Sequence, residues 1–248
     1  MNEVSDVYSI PDLLVRATNR AGDDDAILFP YQKITYSQLY KRAVRSACSL
    51  ATLGIRQGDH VGILMSNCQE FVDIFLGAQF LGAWPVPINA RYKARELNYV
   101  IQNADIKTLF TTDRIVEHVD FVALLSEAFP SLAEQKGDGS LQIAEAPLLQ
   151  NIVLFGDRSP NGMMDQTTFQ DMAADTNEAE VELSRSRIAI RDVAMMMYTS
   201  GTTAMPKGCP ISHEALVRPA IEAGRTRFYL DSDDRMWDPL PMFHMSFV

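Results

Sequence analysis

Cysteine is scarce in this 248-residue chain: Cys48, Cys68 and Cys209 are scattered, odd in number and form no CxxC pair. That pattern excludes a disulfide framework and offers no structural zinc site, so a reducing compartment is expected. Base is also in short supply, with 22 Lys and Arg against 32 Asp and Glu and a net charge of −10. A protein that sheathes nucleic acid needs the opposite balance, because phosphate is held by clustered cations. One small phosphorylated ligand, which needs only a local pocket, is not excluded. Long apolar runs are missing too. The longest uncharged one, Ile74 to Ala90, is broken by Gln79, Asn89, two prolines and two glycines, and is too short to span a bilayer. The first residues, Met1 to Asp6, carry acid where a secretion signal carries base, so a cytoplasmic location is expected. There is no internal repeat, heptad array or low-complexity tract.

What is present is ordinary globular composition, 47% hydrophobic and 22% charged, in a chain long enough to bury a core without staples. Short apolar runs alternate with amphipathic ones. Ser37 is a plausible cap for a helix carrying Leu39, Ala43, Ala47 and Leu50 on one face. His60 to Met65 reads as a buried strand. Ser66 or Asn67 then caps a helix with Phe71, Ile74, Phe75, Ala78 and Leu81 inward. Trp84 to Ile88 is a second extended run. A helix bearing Leu97, Val100, Ile101 and Ala104 follows, then a strand over Lys107 to Thr111 and a helix over Ile115 to Ala128. Glu134 to Pro147 is polar and loop-like, Asn151 to Phe155 is strand-like, and Asp175 to Arg187 is a connector or an exposed helix. The alternation predicts an α/β fold with largely parallel sheets.

The most informative stretch is Asp192 to His213. Apolar Val193 to Tyr198 predicts a buried strand that delivers Thr199-Ser200-Gly201-Thr202-Thr203 to its carboxyl end, where open α/β sheets bind ligands. Hydroxyls, successive backbone N–H groups and a lysine are what a polyphosphate requires: the amides form a nest for oxyanions and Lys207 adds a mobile charge. Pro206 biases Met205 towards extended backbone, which projects the lysine. The common nucleotide loop G-x-x-x-x-G-K-[ST] does not fit, because Pro206 and Gly208 flank the lysine.

Tyr198 to Gly208, YTSGTTAMPKG, resembles the signature loop YTSGTTGxPKG of the adenylate-forming superfamily, with Ala204 at the one fixed position that differs. Three further stretches resemble that family's motifs in the same order: Ile34 to Leu39, Leu81 to Asn89 (LGAWPVPIN) and Pro239 to His244 (PLPMFH). The resemblance implies the front part of the large N-terminal domain of an acyl-CoA synthetase-like enzyme, without the C-terminal lysine domain. Within 1–248 it suggests a first α/β segment over 1–133, a loop-rich connector with a short strand over 134–190, and a phosphate-loop strand with a following helix and strand over 191–248. It implies ATP, Mg²⁺ and coenzyme A as reactants, with a fatty or other hydrophobic carboxylic acid as substrate. By the same resemblance Thr199, Ser200, Gly201, Thr202 and Thr203 wrap the β- and γ-phosphates with Lys207 reaching them, and His244 lies near the bound carboxylate. No residue is assigned to metal. Ala204, if held at positive φ, would cost roughly 1–2 kcal/mol.

Each feature also has a plainer reading. A Ser/Thr-rich turn is by itself a turn, and His244 without its motif is a surface or packing histidine. His60, His118 and His213 show no metal spacing and read as structural, His213 at a helix start; the acidic clusters Asp23–Asp25 and Asp231–Asp234 read as solvated turns. Arg91, Lys93 and Arg95 read as a solvated helix start. Two functions other than a ligase stay open: a non-catalytic module that binds an acyl group, a nucleotide or a partner, and an ATP hydrolase, for which no water-activating residue is evident. Because the motifs sit in the front part of a longer family pattern, residues 1–248 made alone are expected to expose an uncovered face and self-associate.

Overall fold

A computed structural model describes residues 8–114, 119–135, 140–199 and 205–244. Helix α1 (Ile10–Ala21) precedes a small antiparallel hairpin, β1 (Asp25–Phe29) and β2 (Gln32–Thr35). The main body then alternates: α2 (Tyr36–Thr52), β3 (His60–Leu64), α3 (Gln69–Phe80), β4 (Trp84–Pro87), α4 (Ala94–Asn103), β5 (Ile106–Thr112) and α5 (Phe121–Ala128). Strands β6 (Asn151–Phe155) and β7 (Met164–Asp165) follow, then α6 (Gln166–Asp171) and α7 (Glu178–Ser186). The chain continues through β8 (Val193–Thr199), β9 (Lys207–Ser212) and α8 (His213–Thr226).

Five strands pair in the order β4-β3-β5-β6-β7, all parallel, so the expected α/β class is observed. Side chains leave a strand to alternate faces, and the two faces build two cores. Val61, Ile63, Phe110, Val153 and Phe155 pack towards α2 and α3. Leu64, Leu109, Ile152 and Leu154 pack towards α4 and α5. Helix α3 is buried on every side, so its polar residues need partners. Asp73 receives Arg42 through both Nε and Nη2, the latter at 2.6 Å. Burial still raises the Asp73 carboxyl, against the pull of Arg42. Gly77 lets α2 and α3 close up: a Cβ there would lie 2.7 Å from the Cβ of Ser46 and 3.0 Å from the Ala47 amide nitrogen.

The β4 edge of the sheet has a particular chemistry. The amides of Trp84 and Ile88 donate to Asp59 and Ile63 at 2.8 and 2.9 Å, which turns the even-numbered residues of β4 towards β3. Positions 85 and 87 therefore face away from the sheet, and both are proline. The outer edge of β4 offers no N–H. Strand β8 lies alongside it but pairs instead with β9.

Several local expectations are corrected. Helix α2 is capped by Thr35, not Ser37: the Thr35 hydroxyl accepts from the Gln38 amide and the Gln38 side chain accepts from the Thr35 amide, a capping box. Helix α3 starts after Cys68, which makes no side-chain cap, so neither Ser66 nor Asn67 caps it. Of the helix expected over Ile115 to Ala128, residues 115–118, His118 among them, lie outside the described residues; the part described is α5, Phe121–Ala128, which Asp120 caps through the Ala123 amide. The stretch 134–190 carries more than one short strand, contributing β6, β7, α6 and α7. Asp175 to Arg187 resolves as the helix α7, capped by Asn177. After α8, residues 227–244 are irregular backbone with a few turns.

Candidate functional site

The phosphate-loop sequence is carried by a hairpin. Met195 and Met197 of β8 enter the core beneath α2 and α3, whereas Met196 and Tyr198 enter the one beneath α4 and α5. A strand enclosed on both faces reads as a continuous apolar run, as this one does. Its carboxyl end lies in an antiparallel pair with β9, outside the parallel sheet. Thr199 and Lys207 face each other as the last pair of the ladder. The connecting residues 200–206 are therefore closed at their base by two site candidates, both exposed. Ser200, Gly201, Thr202 and Thr203, with Ala204, lie outside the described residues. Pro206 is buried and Lys207 opens β9 in extended backbone, so the lysine projects from a strand. It takes part in none of the ion pairs among the described residues.

Side chains from the main body anchor the hairpin. The buried Gln79 Nε2 donates to the Ala194 carbonyl at 3.0 Å. The Tyr198 hydroxyl donates to Asn103 Oδ1 at 2.8 Å, and burial, with Tyr99 beside it, pushes that phenol up to about 12, so it remains a donor. Gly208 lies opposite Tyr198, where a Cβ would come within 3.1 Å of the ring. The glycine thus lets the tyrosine lie across the hairpin.

Beyond β9, Ser212 caps α8 and His213 turns inward. Its ring is fully buried and Nδ1 accepts from the Ile10 amide at 3.2 Å, tying the chain after the loop to the first helix. Burial lowers the His213 imidazole to about 4, although Asp192 and Asp12 pull it up. Between the ordinary value near 6.5 and that value, the unfolded chain takes up a proton that the folded one refuses. Stability should therefore fall as pH drops through this window, by up to about 3 kcal/mol from this group. Urea unfolding at pH 7 and pH 4.5 checks it: the His213→Asn variant should lose that part of the pH dependence.

The segment that resembles PLPxFH is irregular, and its backbone is held by side chains. The Leu240 amide donates to Asp238 Oδ1, and the His244 amide to the Pro241 carbonyl at 2.8 Å. Asn67, at the end of β3, takes the Leu240 carbonyl and the Met242 amide. Met242 is buried in the core beneath α2 and α3, while His244 is exposed. No hydrogen bond among the described residues joins the hairpin to this segment; each is tied separately to the main body. Sequence reasoning missed Asn67, Asn103 and Gln79 as supports of the site, since their partners lie about a hundred residues or more away. Among the described residues no group of three or more His, Cys, Asp or Glu side chains is placed to hold a metal ion. None of the described helices is long and apolar enough to cross a membrane.

The parallel sheet and the hairpin at its edge define the fold of the N-terminal domains of adenylate-forming ligases. The anthranilate CoA ligase AuaEII, whose crystal structure holds anthranoyl-AMP, superimposes with a TM-score of 0.78 at 25% identity, over 96% of this chain and 41% of that one. The sequence agrees: the profile of the AMP-binding enzyme family matches residues 14–248, and the chain belongs to that family. It is 29% identical over 241 residues to the acyl-CoA ligase sidI of Aspergillus fumigatus, covering 95% of this chain and 38% of that protein. It is 30% identical over 231 residues to a crotonobetaine/carnitine–CoA ligase of Salmonella agona, over 90% of this chain and 40% of the relative. The chain thus spans about two fifths of the length of these relatives.

Proposed function

We propose that the complete protein is an acid–thiol ligase that forms AMP, and that residues 1–248 are part of its N-terminal AMP-binding domain. A carboxylate oxygen attacks the α-phosphorus of ATP, the bond to the bridging oxygen breaks, and pyrophosphate leaves. A thiol, that of coenzyme A, then attacks the acyl carbon and displaces AMP. The first step drives one anion onto another, so its barrier is largely electrostatic. The observation that carries this reading is the Thr199–Lys207 pair, which closes the signature loop at its base and leaves the lysine exposed. In this reading Thr199 to Thr203 and Lys207 hold the β- and γ-phosphates, His244 stands near the carboxylate, and the acid is fatty or otherwise hydrophobic. Relatives named for CoA ligation support the class. Acid-dependent exchange of labelled pyrophosphate into ATP by the complete protein tests it, and a panel of acids of increasing chain length ranks the substrates. No exchange with any acid, alongside saturable Mg-ATP binding by calorimetry, favours the non-catalytic module instead.

A further inference from the structure

The geometry points to Asn67 as a positioning residue for the His244 segment, an inference that rests on the ligase reading above. Between Pro239 and Met242 the backbone belongs to no helix or strand, so its polar groups must find partners one by one. Two of the four residues are prolines and have no N–H. Of the two amides left, Leu240 uses Asp238 Oδ1 at 2.9 Å and Met242 uses Asn67 Oδ1 at 2.7 Å. The same Asn67 donates from Nδ2 to the Leu240 carbonyl at 2.8 Å. One side-chain amide therefore pairs with the carbonyl before Pro241 and the amide after it, as a neighbouring strand would. Its orientation is fixed by its partners, since an N–H needs the oxygen and a carbonyl needs the nitrogen.

The reach of this clamp is long in sequence and short in space. Asn67 stands just past the carboxyl end of β3, at the point where the sheet order reverses between β3 and β5, the location at which open α/β sheets place ligands. Its two partners lie 173 and 175 residues away along the chain. Two residues beyond Met242 comes His244, whose amide closes a turn onto Pro241, the residue between the two clamped ones. Met242 is anchored by its buried side chain. Asn67 adds the constraint that packing does not give, the rotation of the backbone about that anchor, and hence the direction in which the following turn presents His244. Asn67 acts through that segment and does not itself touch the reacting atoms.

The test uses the complete protein with Asn67→Ala and the near-isosteric Asn67→Asp, which removes the donor to Leu240 without creating a void. Loss of the clamp should lower the kcat of acid-dependent pyrophosphate exchange about 10–100-fold, the scale of a small misplacement in an active site. The KM for Mg-ATP should stay within about threefold, because the phosphate-loop hairpin is held by other residues. Amide hydrogen exchange over 239–244 should accelerate while 207–212 keeps its protection. In a His244→Ala background the Asn67 substitution should add little, because both changes disable one device. Unchanged protection over 239–244, unchanged kcat, or full additivity with His244→Ala would each overturn the inference. So would loss of protection across both segments in both variants, which makes Asn67 a general structural support. A wild-type protein with no exchange activity is a different failure: it removes the ligase reading before any variant is made.

Discussion

Lys207→Ala should lower acid-dependent pyrophosphate exchange of the complete protein by about 100-fold or more, the scale on which one preorganised donor to a developing charge is lost. The lysine starts β9 beside the buried Pro206, faces Thr199 across the ladder and pairs with no carboxylate among the described residues. Its charge is uncommitted within the described structure, and its backbone is fixed by the strand. Truncation should therefore remove a cation without disturbing the fold. Lys207→Arg should recover part of the activity, since charge returns with a different reach and geometry. Steady-state exchange with varied Mg-ATP is the measurement. Wild-type rates in the alanine variant would strip the loop of the role proposed for it.

Phe110→Ala should destabilise the protein by about 3–5 kcal/mol, through the lost transfer energy of the ring and the cavity left behind. Phe110 sits mid-way along β5, the central strand of the sheet, and is fully buried. Its ring meets Phe169 edge-on at 5.0 Å and Phe155 at 6.3 Å. Those contacts join the sheet to α6, so the void would open between two layers that cannot both relax onto it. The urea midpoint at neutral pH reads the effect. Leu28→Ala, on the half-exposed β1, serves as the comparison and should move it little. A shift below about 1 kcal/mol for Phe110 would mean that α6 is only loosely attached to the sheet.

The alternation of strand and helix from residue 34 through 112 is legible in the sequence because each element carries its own period: buried runs in β3 and β5, one apolar stripe in α2 and α4. The boundaries are less so. Ser37 and Asn67 look like helix caps locally, yet Thr35 wins at α2 because Gln38 can return the bond, and Asn67 is taken by Leu240 and Met242. Asp120 falls inside the apolar pattern that reads as one helix, yet its side chain caps Ala123 and sets the start of α5. Strand β9 was hidden by Gly208 and Pro210, both poor strand formers; pairing with β8 overrides their propensity. At the candidate site, motif residues single out the loop, Lys207 and His244 as candidates. They do not single out the supports, since Gln79, Asn103 and Asn67 act across distances in sequence that no local pattern encodes.

The two prolines of β4 matter before the protein is finished. Strand β4 leaves the ribosome roughly a hundred residues ahead of β8, the strand that comes to lie beside it. During that interval it is the bare rim of a growing sheet, the kind of surface on which a neighbouring nascent chain can add a strand. With no N–H on its outer side, that rim can accept hydrogen bonds but cannot complete a ladder. The Trp84-Pro85-Val86-Pro87 sequence thus guards the half-made sheet against strand addition while it waits for the hairpin. The finished protein keeps the arrangement as a packed seam rather than a continuous sheet.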